Sequence, residues 1–204
     1  YFPDGSVWSI PPILKILNSV PKPVVLRRVK DITPQTIYDN NVIFLGSIKT
    51  LGIFDRYVSG SHFRYKLIPH RPFEVINNPL DRNKVDTHKI IYTPENGDKI
   101  DTLTTSYNQS TGYHRDLALA LKFPGPQNNS IFIITSFYSS GVPEVAKYLT
   151  NPETLNQLED KFIQKYNRVP PYFEILFEVR GVIKTGFYLE IKYLNEIDKD
   201  VKIW

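Results

Sequence analysis

Short, continuous apolar runs constrain the fold of this chain more than any other feature of its sequence. The runs Val42–Leu45 and Ile131–Ile134 each contain four consecutive apolar residues, and small polar residues follow both of them. A strand covered on one face alternates apolar and polar residues, whereas a continuous run is typical of a strand covered on both faces. The two runs therefore predict an α/β fold in which helices cover a central sheet.

Further elements fit between and around these runs. Val24–Val29 has the β-branched density of a strand, and Thr33 followed by Pro34 is the signature of a helix start. Strand, short helix and strand at this spacing predict a βαβ unit. Helix starts are also predicted near Val142 and at Pro152, where Pro and Glu occupy a first turn.

The second half of the chain predicts antiparallel pairing. Asp116–Leu121 and Ile131–Ile134 flank a Pro- and Asn-rich turn, and Tyr172–Val182 and Phe187–Tyr193 read as two more strands. The predicted fold class is therefore α/β, a Rossmann-like three-layer domain with a mixed central sheet and a β-rich insertion.

The length of 204 residues predicts a single domain, 1–204. Residues 1–22, rich in Pro and Gly, form an expected N-terminal appendage with a short helix after Pro11 and Pro12. Residues 51–112 are expected to be an insertion or irregular β-rich region. Its short strand candidates are His62–Leu67, Phe73–Ile76 and Lys89–Tyr92, and mostly polar loops are expected over Pro94–Gly112.

Composition removes several classes of chemistry. The chain has no Cys, which excludes disulfide scaffolds, thiolate metal sites and thiol catalysis. His62, His70, His88 and His114 lack the spacing of a helical zinc site, so we expect neither a metal nor a cofactor. The net charge of +4 is small. The one cluster of basic residues in the sequence, Arg27 to Lys30, is followed by the acidic Asp31, so a nucleic-acid partner is not expected.

Two loops that follow the apolar runs are candidates for ligand binding. Ligands of open α/β sheets bind beyond the carboxyl ends of parallel strands, where helix N-termini favour negative charge. Glycine permits close approach, hydroxyls donate to anionic oxygens, and Lys or Arg supplies charge. The candidate ligand-binding residues are Gly46, Ser47, Lys49 and Thr50 in the first loop, Ser136, Ser139, Ser140 and Gly141 in the second, and Arg115 beside them.

The same residues can also be explained by structural roles that involve no ligand. The first loop also reads as an ordinary turn capped by a Ser, and Ser139 or Ser140 as a helix cap. Ser136, His114 and Asp116 make a triad on paper, but the G-x-S-x-G motif is absent, so no catalytic residue is assigned.

Three segments together resemble a little-described bacterial domain associated with signalling or membrane-anchored proteins. They are Asn41–Thr50, Tyr113–Val142 and Leu149–Phe162. The chain departs from that pattern at Phe137 and Tyr138, which replace small residues. The resemblance implies a sensor-like accessory domain and names no reaction.

The leading expectation is a non-enzymatic sensory or interaction domain of a larger bacterial protein, one that binds an anionic small molecule. The alternatives are an enzyme acting on a nucleotide or another phosphorylated or acidic small molecule, and a structural subunit of an assembly. A protein partner or further domains of the parent chain are also expected. Without a Met and with Tyr1 first, the chain is expected to be an excised or processed soluble piece of a longer protein, and its ends do not indicate a compartment. The resemblance implies tethering to a membrane through residues outside this chain.

Overall fold

The computed structural model describes residues 4–67, 88–94, 99–183, 185–201 and 203, so the expected strand Phe73–Ile76 and His70 lie outside the described residues. The helices are α1 (Asp4–Leu17), α2 (Pro34–Asp39), α3 (Asp55–Ser59), α4 (Gly141–Thr150) and α5 (Pro152–Tyr166). The strands are β1 (Val42–Ser47), β2 (Phe63–Lys66), β3 (Lys89–Tyr92), β4 (Asp101–Thr104), β5 (Ser106–Tyr107), β6 (Tyr113–Pro124), β7 (Ser130–Ser136), β8 (Phe173–Val182) and β9 (Thr185–Glu196).

The main sheet is mixed. Its strand order is β1-β7-β6-β8-β9, and the short β5 also pairs with β6. Strands β1 and β7 are parallel, whereas the other pairs of this sheet are antiparallel. A second, antiparallel sheet has the order β2-β3-β4. The α/β class and the mixed sheet are confirmed.

Alternate residues of β6 show how the two faces of the main sheet are covered. Leu119 belongs to a cluster that includes Tyr57 of α3 and Ile90 of β3. Its neighbour Ala120 belongs to a second cluster with Val145 of α4 and Phe162 of α5. Because successive side chains of a strand point to opposite faces, helices α4 and α5 cover one face, and α3 and the small sheet cover the other.

The expected strand over Val24–Val29 is wrong. Residues 24–28 have no regular structure, and Val29–Asp31 forms a 3₁₀ turn. Val25 and Leu26 are 70% and 66% exposed, so β-branched propensity here gains neither burial nor a partner strand. The predicted βαβ unit is therefore absent. Strand β1 was expected to be covered on both faces, but it is an edge strand, and its Ile43 is 37% exposed.

The three predicted helix starts are confirmed, and capping side chains explain those of α2 and α5. Thr33 caps α2 through a hydrogen bond from the Thr36 amide (3.2 Å), and Pro34 is its first residue. Asn151 caps α5 by accepting from the Glu153 amide (2.8 Å). Capping side chains satisfy amides that have no partner within the helix, which is why such local signals predict boundaries well.

Two regions differ from expectation in their details. Helix α1 contains Pro11 and Pro12 rather than following them, and it packs on α4 with Ile13 buried. Burial of this apolar stripe offsets the hydrogen bonds that the two prolines remove. Strands β4 and β5 lie within Pro94–Gly112, where loops were expected. Among the described residues, no helix is long and apolar enough to cross a membrane.

Ile133→Ala tests the position of the core. Ile133 lies in β7, is fully buried and belongs to the cluster on the α3 side of the sheet. Removing its side chain is expected to lower the free energy of unfolding by about 2–5 kcal/mol, because a cavity remains beside the sheet. Denaturant unfolding measures this change, and a loss below about 1 kcal/mol, typical of surface sites, would contradict the assignment.

Candidate functional site

The structure brings the beginnings of the two predicted loops together. Ser47 and Ser136 are opposite each other in the parallel pair of β1 and β7. Both strands therefore end at the same edge of the sheet, and helix α4 begins a few residues beyond Ser136. What the loops do at this edge depends on which polar groups are still available there.

The first loop uses its hydroxyls for local structure. Ser47 Oγ accepts from the Lys49 amide (3.2 Å) and so caps the 3₁₀ turn over Ile48–Thr50. Thr50 Oγ1 donates to the Ser47 carbonyl (3.0 Å), and Lys49 is exposed. Gly46 packs under Phe44, whose ring would lie 2.9 Å from a Cβ at that position. These contacts are those of a capped turn.

The second loop encloses the carboxylate of Asp116, which is fully buried. Four backbone amides point at this carboxylate, and the last of them opens helix α4. Oδ1 accepts from Leu117 N (2.8 Å), Phe137 N and Tyr138 N (both 3.2 Å), and Oδ2 accepts from Tyr138 N (3.2 Å) and Gly141 N (3.1 Å). The helix N-terminus that was expected to face an anionic ligand is therefore occupied by a carboxyl group of the chain itself.

Burial dominates the electrostatics of this carboxyl group. Loss of water raises the pKa of Asp116 to about 7, against the amides and the Ser136 hydroxyl, which lower it. The group therefore changes charge near neutral pH. A glycine is required beside it, because a Cβ at position 141 would lie 2.6 Å from Asp116 Oδ2 and 2.4 Å from Ser136 Cβ.

The remaining predicted residues are held by other contacts. Ser140 is the N-cap of α4 but makes no capping bond, and its hydroxyl instead contacts His114 Nε2 (2.7 Å). Burial lowers the pKa of His114, an effect that the Gly112 carbonyl partly offsets. Arg115 donates to the Thr104 carbonyl (2.6 and 3.0 Å). Ser139 is half-buried in the same loop. Ligand binding by these residues stays a prediction.

A polar network that the sequence analysis missed surrounds Glu174 of β8, which is fully buried. Its carboxylate accepts from His62 N (3.0 Å), His62 Nδ1 (2.7 Å) and Asn195 Nδ2 (2.8 Å). Asn195 Oδ1 in turn accepts from Tyr92 Oη (3.2 Å) and Lys165 Nζ (3.2 Å). The network thus connects the small sheet, the end of β9 and helix α5.

A concave surface of about 480 Å³ lies beside this network, between α5, β9 and the end of β3. We call it the lysine groove. Two of its lysines come from helix α5, one from strand β9 and one from the segment before β4, and among the described residues that line it there is no Asp or Glu. Its walls consist of Lys99, Lys161, Lys165 and Lys192, with Tyr92, Pro94, Ile191, Tyr193, Leu194 and Asn195.

A second concavity of about 730 Å³ continues from the lysine groove, since both are lined by Tyr92, Pro94, Lys165 and Asn195. This part contains charges of both signs, including the ion pair of Arg168 and Glu196. His62, whose side chain is 22% exposed, also lines it. Of the two adjoining concavities, the lysine groove is therefore the more cationic.

Comparisons with known protein families, with curated proteins and with solved structures find no match for this chain. Among the described residues, no group of three or more His, Asp or Glu side chains could hold a metal ion.

One signal of the lysine groove was present in the sequence. Lys161 and Lys165 are four residues apart in a segment predicted to be helical, which places two like charges on one helical face. Lys99 and Lys192 come from distant segments, and only the folded sheet brings them close to α5. Neither of these two lysines belongs to a motif of neighbouring residues that would mark it in the sequence.

Proposed function

We propose that this chain is a non-enzymatic sensory or interaction domain of a larger bacterial protein, and that its lysine groove binds an anionic small molecule. The observation that supports the proposal is the meeting of four lysines in one concavity, without an acidic side chain among the described lining residues. An anion bound there would be held by several charge-assisted hydrogen bonds, which are the strong ones.

Repulsion between the lysines supports the same conclusion. Like charges four residues apart on a helix destabilise it by about 0.2–0.5 kcal/mol per pair, and Lys161 and Lys165 form such a pair. Lys192 forms an ion pair with Glu190 (3.5 Å), which balances part of its charge. A bound anion would remove the repulsion, so binding would recover stability that the empty groove lacks.

The floor of the groove is already ordered. Lys165 Nζ donates to the Leu194 carbonyl (2.6 Å) and to Asn195 Oδ1, which the buried Glu174 holds in place. An ordered cation loses little entropy when a ligand binds, and this favours affinity.

We also propose a three-layer arrangement of the fold, which the buried clusters on both faces of the main sheet support. The Rossmann-like element is limited to the parallel pair of β1 and β7. Tethering to a membrane through residues outside this chain follows from the resemblance to the bacterial sensor-like domain.

Calorimetric titration with pyrophosphate and a panel of acidic metabolites tests the site. Lys161→Gln combined with Lys192→Gln removes two charges but keeps side chains of similar length. We expect the dissociation constant to rise about ten- to a hundredfold, because losing a charged contact costs about 1.5–3 kcal/mol.

Lys49→Gln is the matched control, since Lys49 is an exposed lysine of the first predicted loop. We expect it to bind as the wild type does. Loss of binding in Lys49→Gln with normal binding in the double variant would move the site to the loops and contradict the proposal.

One observation favours an enzyme as a second candidate function. Glu174 orients the His62 ring through Nδ1 at 2.7 Å, which is how a carboxylate positions a general base. A phosphatase is the form of this candidate that the His62–Glu174 pair allows to be tested directly: it would hydrolyse p-nitrophenyl phosphate, and Glu174→Gln would abolish the hydrolysis. Absence of turnover in the wild type would contradict phosphatase activity.

A further inference from the structure

A stack of three aromatic rings leads from the core to the lysine groove. Phe63 is fully buried, and its ring centroid lies 5.5 Å from that of Tyr92. The Tyr92 ring stacks on Tyr193 with centroids 3.9 Å apart and planes 27° apart. Tyr92 and Tyr193 both line the lysine groove, so this stack ends at a surface that a ligand can reach.

Hydrogen bonds fix the two tyrosines of the stack. Tyr92 Oη donates to Asn195 Oδ1 (3.2 Å), and Tyr193 Oη donates to Asp101 Oδ2 (2.5 Å). A rigid aromatic side chain offers a large contact area, and little entropy is lost when a planar ligand stacks on it.

We propose that the anion held by the lysine groove is a nucleotide, whose base extends the aromatic stack at Tyr193 while its phosphate contacts the lysines. This inference rests on the proposed function, because it names the ligand class of that same groove. An inorganic anion would use the lysines alone, whereas a nucleotide uses both kinds of wall. A groove of about 480 Å³ lies within the size range of small-molecule sites.

Stacking on a tyrosine does not depend strongly on which base is present, since every base has a π-face. The aromatic wall therefore favours nucleotides as a class. The neighbouring lysines supply the phosphate contacts without selecting among the bases.

Titration with adenosine monophosphate and with ribose 5-phosphate isolates the contribution of the base. Both probes carry a sugar and one phosphate, and only the first has a base. We expect wild-type protein to bind adenosine monophosphate about five- to 150-fold more tightly, the range of base–aromatic stacking. Tyr193→Leu should reduce this preference to about one. Tyr193→Phe, which keeps the ring, should retain it.

The wild-type comparison decides the proposal even if Tyr193→Leu fails to fold. Equal affinities of the two probes for wild-type protein would overturn the nucleotide assignment. A preference that survives in a folded Tyr193→Leu variant would overturn the role of the stack. If pyrophosphate still binds and the lysine double variant weakens it, anion binding stands and only the ligand class is wrong. Absence of binding by all three probes would overturn both.

Discussion

Asp116→Ala is expected to lower the free energy of unfolding at pH 5 by about 3–5 kcal/mol. The substitution leaves four amides, among them those of Leu117 and Gly141, without their acceptor in a fully buried position. Each buried donor without a partner costs about 1–3 kcal/mol, and partial entry of water reduces the sum. Denaturant unfolding followed by circular dichroism measures the change.

Asp160→Ala is the matched control, because Asp160 is an exposed carboxylate on α5. It should change the unfolding free energy by less than about 0.5 kcal/mol. A loss below about 1 kcal/mol in Asp116→Ala would show that the second loop and the start of α4 do not depend on this carboxyl group.

The stability of the wild-type protein should carry a pH dependence that originates in Asp116. Its pKa is raised from 3.8 to about 7 in the folded state, so between these pH values the folded protein holds a proton that the unfolded chain has released. The stabilisation from this group is complete below pH 3.8 and is lost as the pH rises through 7. About three pH units correspond to about 4 kcal/mol.

His114 acts in the opposite direction, because burial lowers its pKa and stability is therefore lost as the pH falls below its ordinary value of 6.5. The difference between wild type and Asp116→Asn, measured at each pH from 4 to 8, isolates the carboxyl group. We expect the wild type to lose its advantage over the variant as the pH approaches 8. A constant difference across this range would contradict the raised pKa.

Local signals predicted much of the fold because they act over a few residues. Thr33 and Asn151 cap their helices as the sequence indicates, and the strand pair on either side of the Pro- and Asn-rich turn forms as expected. Val24–Val29 had equal propensity but no partner strand, and strand formation depends on pairing and burial that the local sequence does not encode.

The predicted ligand loops show a different limit of prediction from sequence. The sequence correctly places hydroxyls and glycine beside the start of α4, but it does not reveal that Asp116 of β6 fills the same position. The acceptor comes from a neighbouring strand. Only the pairing of β6 with β7 brings it there.

Most of the lysine groove could not be predicted from the sequence, for a related reason. Lys165 and Lys192 belong to α5 and β9, and Tyr92 belongs to β3. Their charges and rings become one surface only after the main sheet and the small sheet are assembled. The spacing of the two α5 lysines is the only feature of this surface that the sequence itself indicates.

Binding of an anion in the lysine groove can be located residue by residue with amide chemical-shift mapping during titration with pyrophosphate. We predict saturable shifts concentrated at Lys161, Lys165 and residues 192–195, and their loss in the Lys161→Gln, Lys192→Gln double variant. Shifts concentrated at residues 47–50 and 136–141, or no saturable shifts at any amide, would contradict anion binding in the lysine groove.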